Sequence, residues 1–367
     1  MKSRFYILLY LLAITTLSCA QDKNPINKSH DYQVIVPDLN IPWGFVFLPD
    51  NTILITEKSG ELIHFKNGKK TLIKGLPEIH VYGQGGLMDV ALHPDYKTNA
   101  WIYFSYASSG GVGNGGHTAI ARAKLKNNAL TDFQVLYKAT PNTKAGQHFG
   151  SRMVFDKDNF LFFSIGDRGE RDINPQDVTL DGGKIYRLHD DGTIPENNPF
   201  VQSPNAKKAI YSYGHRNPQG MAIHPETRAI WSHEHGPKGG DEINIIEGGH
   251  NYGWPKVTYG KNYSGTEITD KTTLPGLTQP IHYWDPSIAP SGMAFISSNV
   301  YPKWKGNLLV GSLKFQYLDL CYLKGKKIIK EERLLDGLGR VRSVVLGPDG
   351  YIYAGIENLG IVKIIPK

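Results

Sequence analysis

Six copies of one pattern recur along this chain: an apolar run, a turn built on Pro or Asp, and a second apolar run, with no convincing amphipathic helix between them. They predict an all-β fold, a six-bladed β-propeller with four-stranded antiparallel blades, each blade a small twisted sheet around a central axis. The first copy starts at Trp43 and reads Trp-Gly-Phe-Val-Phe-Leu-Pro-Asp-Asn-Thr-Ile-Leu-Ile-Thr. The second runs from Leu87 through His93-Pro94-Asp95 to Trp101, and the third starts at Met153 and turns at Asp156-Lys157-Asp158-Asn159. Further copies begin at Gly220, Gly292 and Val341. Each is a pair of short strands rich in β-branched and aromatic residues, the pattern of an antiparallel hairpin. The copies are unevenly spaced, and the extra residues between the third and the fifth predict loops over one mouth of the channel. A pair of β-sandwiches would use similar strands but would not explain the recurring turn.

Composition fits a large, turn-rich globular chain: 367 residues, 40% hydrophobic and 20% charged, with 40 Gly and 22 Pro. Residues 31–367 read as one propeller domain, preceded by a polar leader over 20–30 and a signal segment over 1–19. Lys2 and Arg4, the apolar run Phe5 to Leu17 and then Leu17-Ser18-Cys19-Ala20 are those of a secretory signal. The setting around Cys19 resembles a bacterial lipoprotein box, in which the cysteine becomes acylated; an ordinary signal cut near Ala20 is the other reading, and both stand. The expected location is therefore periplasmic or lipid-anchored to the cell envelope, with membrane contact only through a lipid on Cys19. No other segment approaches the length of a membrane span. Without Cys19 only Cys321 remains, so stability is expected from packing or bound ions, not from a disulfide.

The formal charge of +7 falls by two if Lys2 and Arg4 leave with the signal. Basic residues are scattered apart from Lys66 to Lys74 and Lys324 to Lys330, which read as solvated hairpin tips. This argues against nucleic acid and leaves a small anionic ligand open.

The densest polar segment lies in the irregular region from Tyr213 to Pro255, where His215, Arg216, Asn217, His233, Glu234, His235, Asp241 and Glu242 alternate with glycines and prolines. Polar groups on irregular backbone are a mark of function. Four other clusters interrupt the hairpins: Gly83-Gln84-Gly85-Gly86, Gly146-Gln147-His148-Phe149-Gly150, Gly166-Asp167-Arg168-Gly169 and Gly339-Arg340-Val341-Arg342, with Lys314 completing the set. Singly, each has a structural reading: an arginine in a salt bridge, a histidine satisfied by a hydrogen bond, Gln84 or Asn217 in a turn. His233-x-His235 suggests zinc, but nothing nearby supplies a clear third ligand.

Taken together and in this order, these residues resemble the soluble quinoprotein glucose/sorbosone dehydrogenase family, and most closely its aldose sugar dehydrogenase branch, over nearly the whole mature chain. The resemblance implies a six-bladed propeller that binds pyrroloquinoline quinone (PQQ) and calcium and oxidises aldoses to lactones. It implies cofactor contacts from Gln84, Arg216, Asn217, Lys314, Arg340 and Arg342, the cations suiting a ligand that carries three carboxylates. It implies His148 as the base that takes the anomeric hydroxyl proton, Asp167 as its orienting partner, and Arg216 as the charge beside the quinone carbonyl. The carbonyls of Gly236 and Pro237 are implied to hold the cofactor's calcium, and Glu242 with the Tyr252 carbonyl a second, structural calcium.

The connections between Tyr259 and Thr278 are short and polar, like those of the family's broad-range branch with its open sugar site. Tyr82, Trp284 and Ser287-Ile288-Ala289-Pro290 are candidates for lining it. The expected partners are an aldose and an unknown electron acceptor, and the expected state is a monomer or weak dimer. Two rivals share the fold: a calcium-dependent lactonase, which would place carboxylates around the axis, and a binding propeller without catalysis.

Overall fold

Each hairpin read from the sequence forms the two innermost strands of a four-stranded antiparallel sheet in the computed structural model, which describes residues 26–27 and 30–366. The candidate signal and Cys19 lie outside these residues. The first blade comprises Pro42–Phe47, Ile53–Glu57, Leu62–Lys66 and Lys69–Leu72. The next five begin at Leu87–Leu92, Met153–Phe155, Pro218–Ile223, Pro290–Phe295 and Val341–Leu346. These six innermost strands touch one another in sequence order, and the last returns to the first. Helix is confined to the single turn Tyr96–Asn99 among the described residues.

The ring closes through a strand that the sequence pattern does not mark. His30–Pro37 pairs antiparallel with Gly360–Pro366 and becomes the outermost strand of the sixth blade. Ile26–Asn27, within the supposed leader, runs parallel to Arg333–Leu334 on the edge of the fifth. Part of the leader is therefore sheet.

Sheets with apolar faces must cover them, and here each blade covers its neighbour, so the core is divided into layers. Leu54, Leu87 and Phe104 lie between the first and second blades, and Tyr103, Phe163 and Tyr186 between the second and third. Phe162, Met221 and Ile246 fill the next layer, followed by Trp231, Phe295 and Leu308. Trp304, Leu309 and Ile352 join the fifth to the sixth, and Phe45, Ile55 and Ile361 join the sixth to the first.

Toward the axis the strands converge until there is no room for side chains. A Cβ on Gly292 would collide with the backbone nitrogen of Val344, one on Gly220 would stand 2.5 Å from the Ser291 carbonyl oxygen, and one on Gly44 would stand 2.7 Å from Asp89 Oδ1. Short hydroxyls and one carboxylate join the blades at this radius. Thr56 donates to the Met88 carbonyl, Ser291 to that of Val341, Ser164 to Pro218 at 3.0 Å and Ser343 to Pro42 at 3.4 Å. Asp89 accepts from Arg152 and from the Met153 amide, both at 2.9 Å, and His235 Nε2 donates to the Pro290 carbonyl at 2.6 Å. Every pair of neighbouring blades is thus linked by at least one polar bond near the axis.

Gly292→Ala should lower the urea midpoint by an amount equivalent to about 1–3 kcal/mol, the usual cost of overpacking. An unchanged midpoint would show that the inner ring is looser than this geometry requires.

Candidate active site

In an antiparallel hairpin the entry to the first strand and the exit from the second lie at the same end. Repeated around a ring, this gathers twelve chain ends at one mouth, two from each of the six blades. Gln84, His148, Arg216, Asn217, Ala289 and Arg340 stand at strand entries there, and Lys58, Asp167, His235 and Glu357 at exits. Two cavities open among them. One, of about 340 Å³, is lined by Gln84, Asn217, Arg340 and Arg342 together with Lys58 and Glu357. The other, of about 560 Å³, is lined by Gln84, His148, Asp167, Arg216, Pro237 and Trp254. Gln84 borders both, so they adjoin.

His148 Nδ1 lies 2.6 Å from Asp167 Oδ1. Asp167 is 1% exposed. The bond assigns the Nδ1–H tautomer, which leaves Nε2 as the basic nitrogen. Burial pushes the His148 pKa below its ordinary value against the Asp167 hydrogen bond, so the ring is neutral at pH 7. Burial would raise Asp167, but the bond from His148 and the charge of Arg216 help to outweigh it and hold the carboxyl below the usual range. A neutral imidazole on a buried carboxylate is the arrangement of a general base.

Backbone and side chains fix this pair. His148 and Arg168 both adopt left-handed backbone, with φ of 56° and 57°. For residues with a Cβ such backbone costs on the order of 1–3 kcal/mol and persists where the surroundings enforce it. Arg168 supplies that enforcement: it is fully buried, its guanidinium lies 3.5 Å from the Phe149 ring centroid, and it donates to the carbonyls of Ala145 and Gln147. The loop carrying His148 is thereby anchored from below. Above it, the His148 amide donates to Gln84 Oε1 at 2.8 Å.

The smaller cavity is cationic. Arg340 Nε and Arg342 Nε donate to Glu357 at 2.8 and 3.1 Å, so one carboxylate holds two guanidiniums in place. Lys58 Nζ donates to the Gly83 carbonyl at 2.9 Å, and burial followed by the charge of Arg342 lowers its pKa. Three cations against one carboxylate leave room for an anionic ligand to complete the neutralisation. Asn217 Oδ1 is occupied by the Gly150 amide at 3.1 Å.

Behind Arg216 lies a cavity of only about 10 Å³, lined by Arg216, Glu234, Gly236, Glu242 and Tyr252. Burial and then the neighbouring Glu234 push the Glu242 carboxyl well above its ordinary range. Two carboxylates forced together in this way are a site for a cation or a shared proton. The Gly236 carbonyl accepts from Arg216 at 3.0 Å.

A sequence profile of the glucose/sorbosone dehydrogenases matches residues 39–362. The chain belongs to the glucose/sorbosone dehydrogenase family. It is 43% identical over 368 residues to the aldose sugar dehydrogenase YliI of Escherichia coli K12, covering 98% of each chain. The apo crystal structure of the soluble aldose sugar dehydrogenase from E. coli superposes with a TM-score of 0.88 at 40% identity, over 92% of this chain and 100% of that one. The PQQ-bound aldose sugar dehydrogenase of Streptomyces coelicolor superposes with a TM-score of 0.75 at 26% identity, over 92% of this chain and 98% of that one. Membership makes this chain an oxidoreductase.

Within this family member, most of the expected residues converge and some do not. Lys314 stands outside both cavity linings: its side chain is exposed, with the ammonium 4.7 Å from the Phe315 ring centroid. Trp284 is buried between blades and donates to Asp319 at 3.0 Å, so its role is packing and not sugar contact. Tyr82 is exposed outside the larger cavity, and Ala289 lines the cationic one. His233 is fully buried, with neither ring nitrogen hydrogen-bonded, and His235 faces the Pro290 carbonyl, so the pair does not point to one metal. Sequence reasoning missed Lys58, Glu357 and Trp254. The first two sit one residue past the second strand of their blades, the same exit position as His235, a register that would have found them once the hairpins were aligned.

His117 is buried close enough to Arg168 to feel its charge, and burial first, then that charge, lowers its pKa to about 3. The unfolded chain protonates near 6.5, so stability present above that pH is lost as pH falls toward 3, by about 1.4 kcal/mol per pH unit for this group. His117→Asn should flatten the pH dependence of the urea midpoint in this window; an unchanged slope would show that His117 is not held neutral.

Proposed function

We propose that this chain oxidises aldose sugars to lactones with PQQ and calcium. The observation that carries this reading is the buried His148–Asp167 pair, which opens on a sugar-sized cavity beside Arg216 and adjoins a cationic cavity. When bound, PQQ supplies the two-electron acceptor for the sugar. Arg340, Arg342 and Lys58 would hold its carboxylates, with Gln84 and Asn217 contributing neutral contacts. The fit rests on the donor set: three cations held in place and set against a single carboxylate. Lys314 would have to swing inward to join them.

His148 Nε2 takes the proton of the anomeric hydroxyl as the carbon is oxidised, and Asp167 stabilises the imidazolium so formed. Arg216, held by the carbonyls of His235 and Gly236 at 2.9 and 3.0 Å, places fixed positive charge at the inner end of the larger cavity. A cofactor-linked calcium would draw on the carbonyls of Gly236 and Pro237, the first of which also accepts from Arg216, and a second cation behind Arg216 would draw on Glu242 and the Tyr252 carbonyl. A lactonase would require free carboxylates around the axis, whereas Glu357 in the axial cavity is engaged by two arginines. The sugar range is broad, the electron acceptor is a separate molecule, and the chain is exported to the periplasm or tethered through Cys19. A Cys19→Ala variant released from the membrane fraction would support the tether.

The purified apo chain should bind PQQ in the presence of calcium, followed by absorbance or calorimetry, and then reduce an artificial dye when an aldose is added. Absence of PQQ binding would sink the reading. His148→Ala should retain PQQ yet lose a factor of about 10²–10⁴ in kcat, the usual contribution of a positioned base. Since His148 must be neutral to act and its pKa is depressed, kcat/KM should fall only as pH drops below the ordinary 6.5. Calcium should raise the Tm of the chain, and Glu242→Gln should abolish much of that rise; an equal rise in both would remove Glu242 from the site.

A further inference from the structure

The short connections expected between Tyr259 and Thr278 are instead part of one long connection between the third and fourth strands of the fourth blade, residues 247–281, and it does more than cover the mouth. It carries Trp254 back over the third blade, where the indole Nε1 donates to Asp167 Oδ2 at 2.8 Å. Asp167 Oδ1 is already filled, by His148 Nδ1 at 2.6 Å and the Gly169 amide at 2.8 Å. The indole is therefore what fixes the second oxygen of a carboxylate that is 1% exposed. Trp254 is itself held firmly: its amide donates to the Gly214 carbonyl at 2.9 Å, and Gln176 Nε2 donates to its carbonyl at 2.8 Å. Its ring centroid lies 5.5 Å from the Arg216 guanidinium, and it lines both the larger cavity and the small one behind Arg216. One residue of the fourth blade's insertion thus touches both members of the polar pair, Asp167 and Arg216, that flank His148.

We infer that Trp254 is a positioning residue: its indole N–H fixes the rotation and the charge of Asp167 and so sets how strongly His148 holds a proton. The inference rests on the assignment of His148 as base given above. A buried carboxylate oxygen that loses its donor is left with uncompensated charge, and the nearest group able to answer it is the His148 imidazole. The other charged or titratable groups that bear on His148 are Arg168, Arg216 and His235, none of which is altered by removing the indole N–H. Phenylalanine keeps an aromatic ring over Arg216 and removes only the donor and part of the ring. A role in packing alone would change the melting temperature without touching the proton affinity of His148.

The test is the titration of the His148 ring by NMR in the full apo chain, wild type against Trp254→Phe. The midpoint should rise by about one unit in the variant, and in the loaded enzyme the acid limb of kcat/KM should move up with it while PQQ affinity is unchanged. A lower Tm with an unmoved midpoint would overturn the inference. Should the variant fail to fold, the wild-type chain still decides: the Trp254 indole N–H resonance should shift with the midpoint of His148, and a resonance indifferent to that titration would overturn the inference. Failure to bind PQQ or oxidise sugar would count against the proposed function and leave both NMR outcomes readable.

Discussion

Everything in this molecule depends on how closely six strands can approach one axis. At Gly44, Gly220 and Gly292 the neighbouring blade occupies the place of a side chain, and hydroxyls of Thr56, Ser164, Ser291 and Ser343 reach the backbone of the next blade. Because these bonds are buried, leaving one unmade would cost about 1–3 kcal/mol. The inner ring is therefore defined by both sterics and hydrogen bonding. It fixes the relative positions of the chain ends at the mouth, and those positions are the site.

The electrostatics of the mouth follow from that convergence. Bringing Arg340, Arg342 and Lys58 to one place requires a counter-charge, and Glu357 supplies part of it from the exit of the sixth blade's second strand. On the other side, His148 can stay neutral beside a carboxylate because desolvation opposes its protonation more strongly than Asp167 favours it. Both halves are held by the protein's own hydrogen bonds and ion pairs, and charges fixed in this way act strongly on a reaction beside them.

The hairpins were legible because each repeats a local pattern, two apolar runs and a turn, that needs no knowledge of the rest of the chain. The residues at strand entries, Gln84, His148, Arg216, Asn217 and Arg340, were legible through the glycine-flanked clusters that a family likeness could order. What was not legible is what depends on tertiary reach. Nothing local to Trp254 announces Asp167, which stands on another blade. Lys58 and Glu357 look like ordinary residues at the ends of strands until the ring brings them together. Trp284 failed in the opposite sense, since an aromatic near a polar loop gives no sign of whether it faces a cavity or the next blade. The strand His30–Pro37 was hidden because its partner lies at the far end of the chain.

That last pairing governs the order in which the molecule can assemble. Val34 sits opposite Val362, so the sixth sheet needs residues that lie far apart in the sequence. A chain emerging from the ribosome can form its early hairpins as they appear, but it cannot complete the circle until residues 360–366 have been made. The final step joins segments at maximal sequence separation, the kind of contact whose loop-closure entropy makes folding slow. The sixth blade, which carries Arg340, Arg342 and Glu357 to the mouth, belongs to that later-made part of the chain. Activity is in this sense the last property the chain acquires.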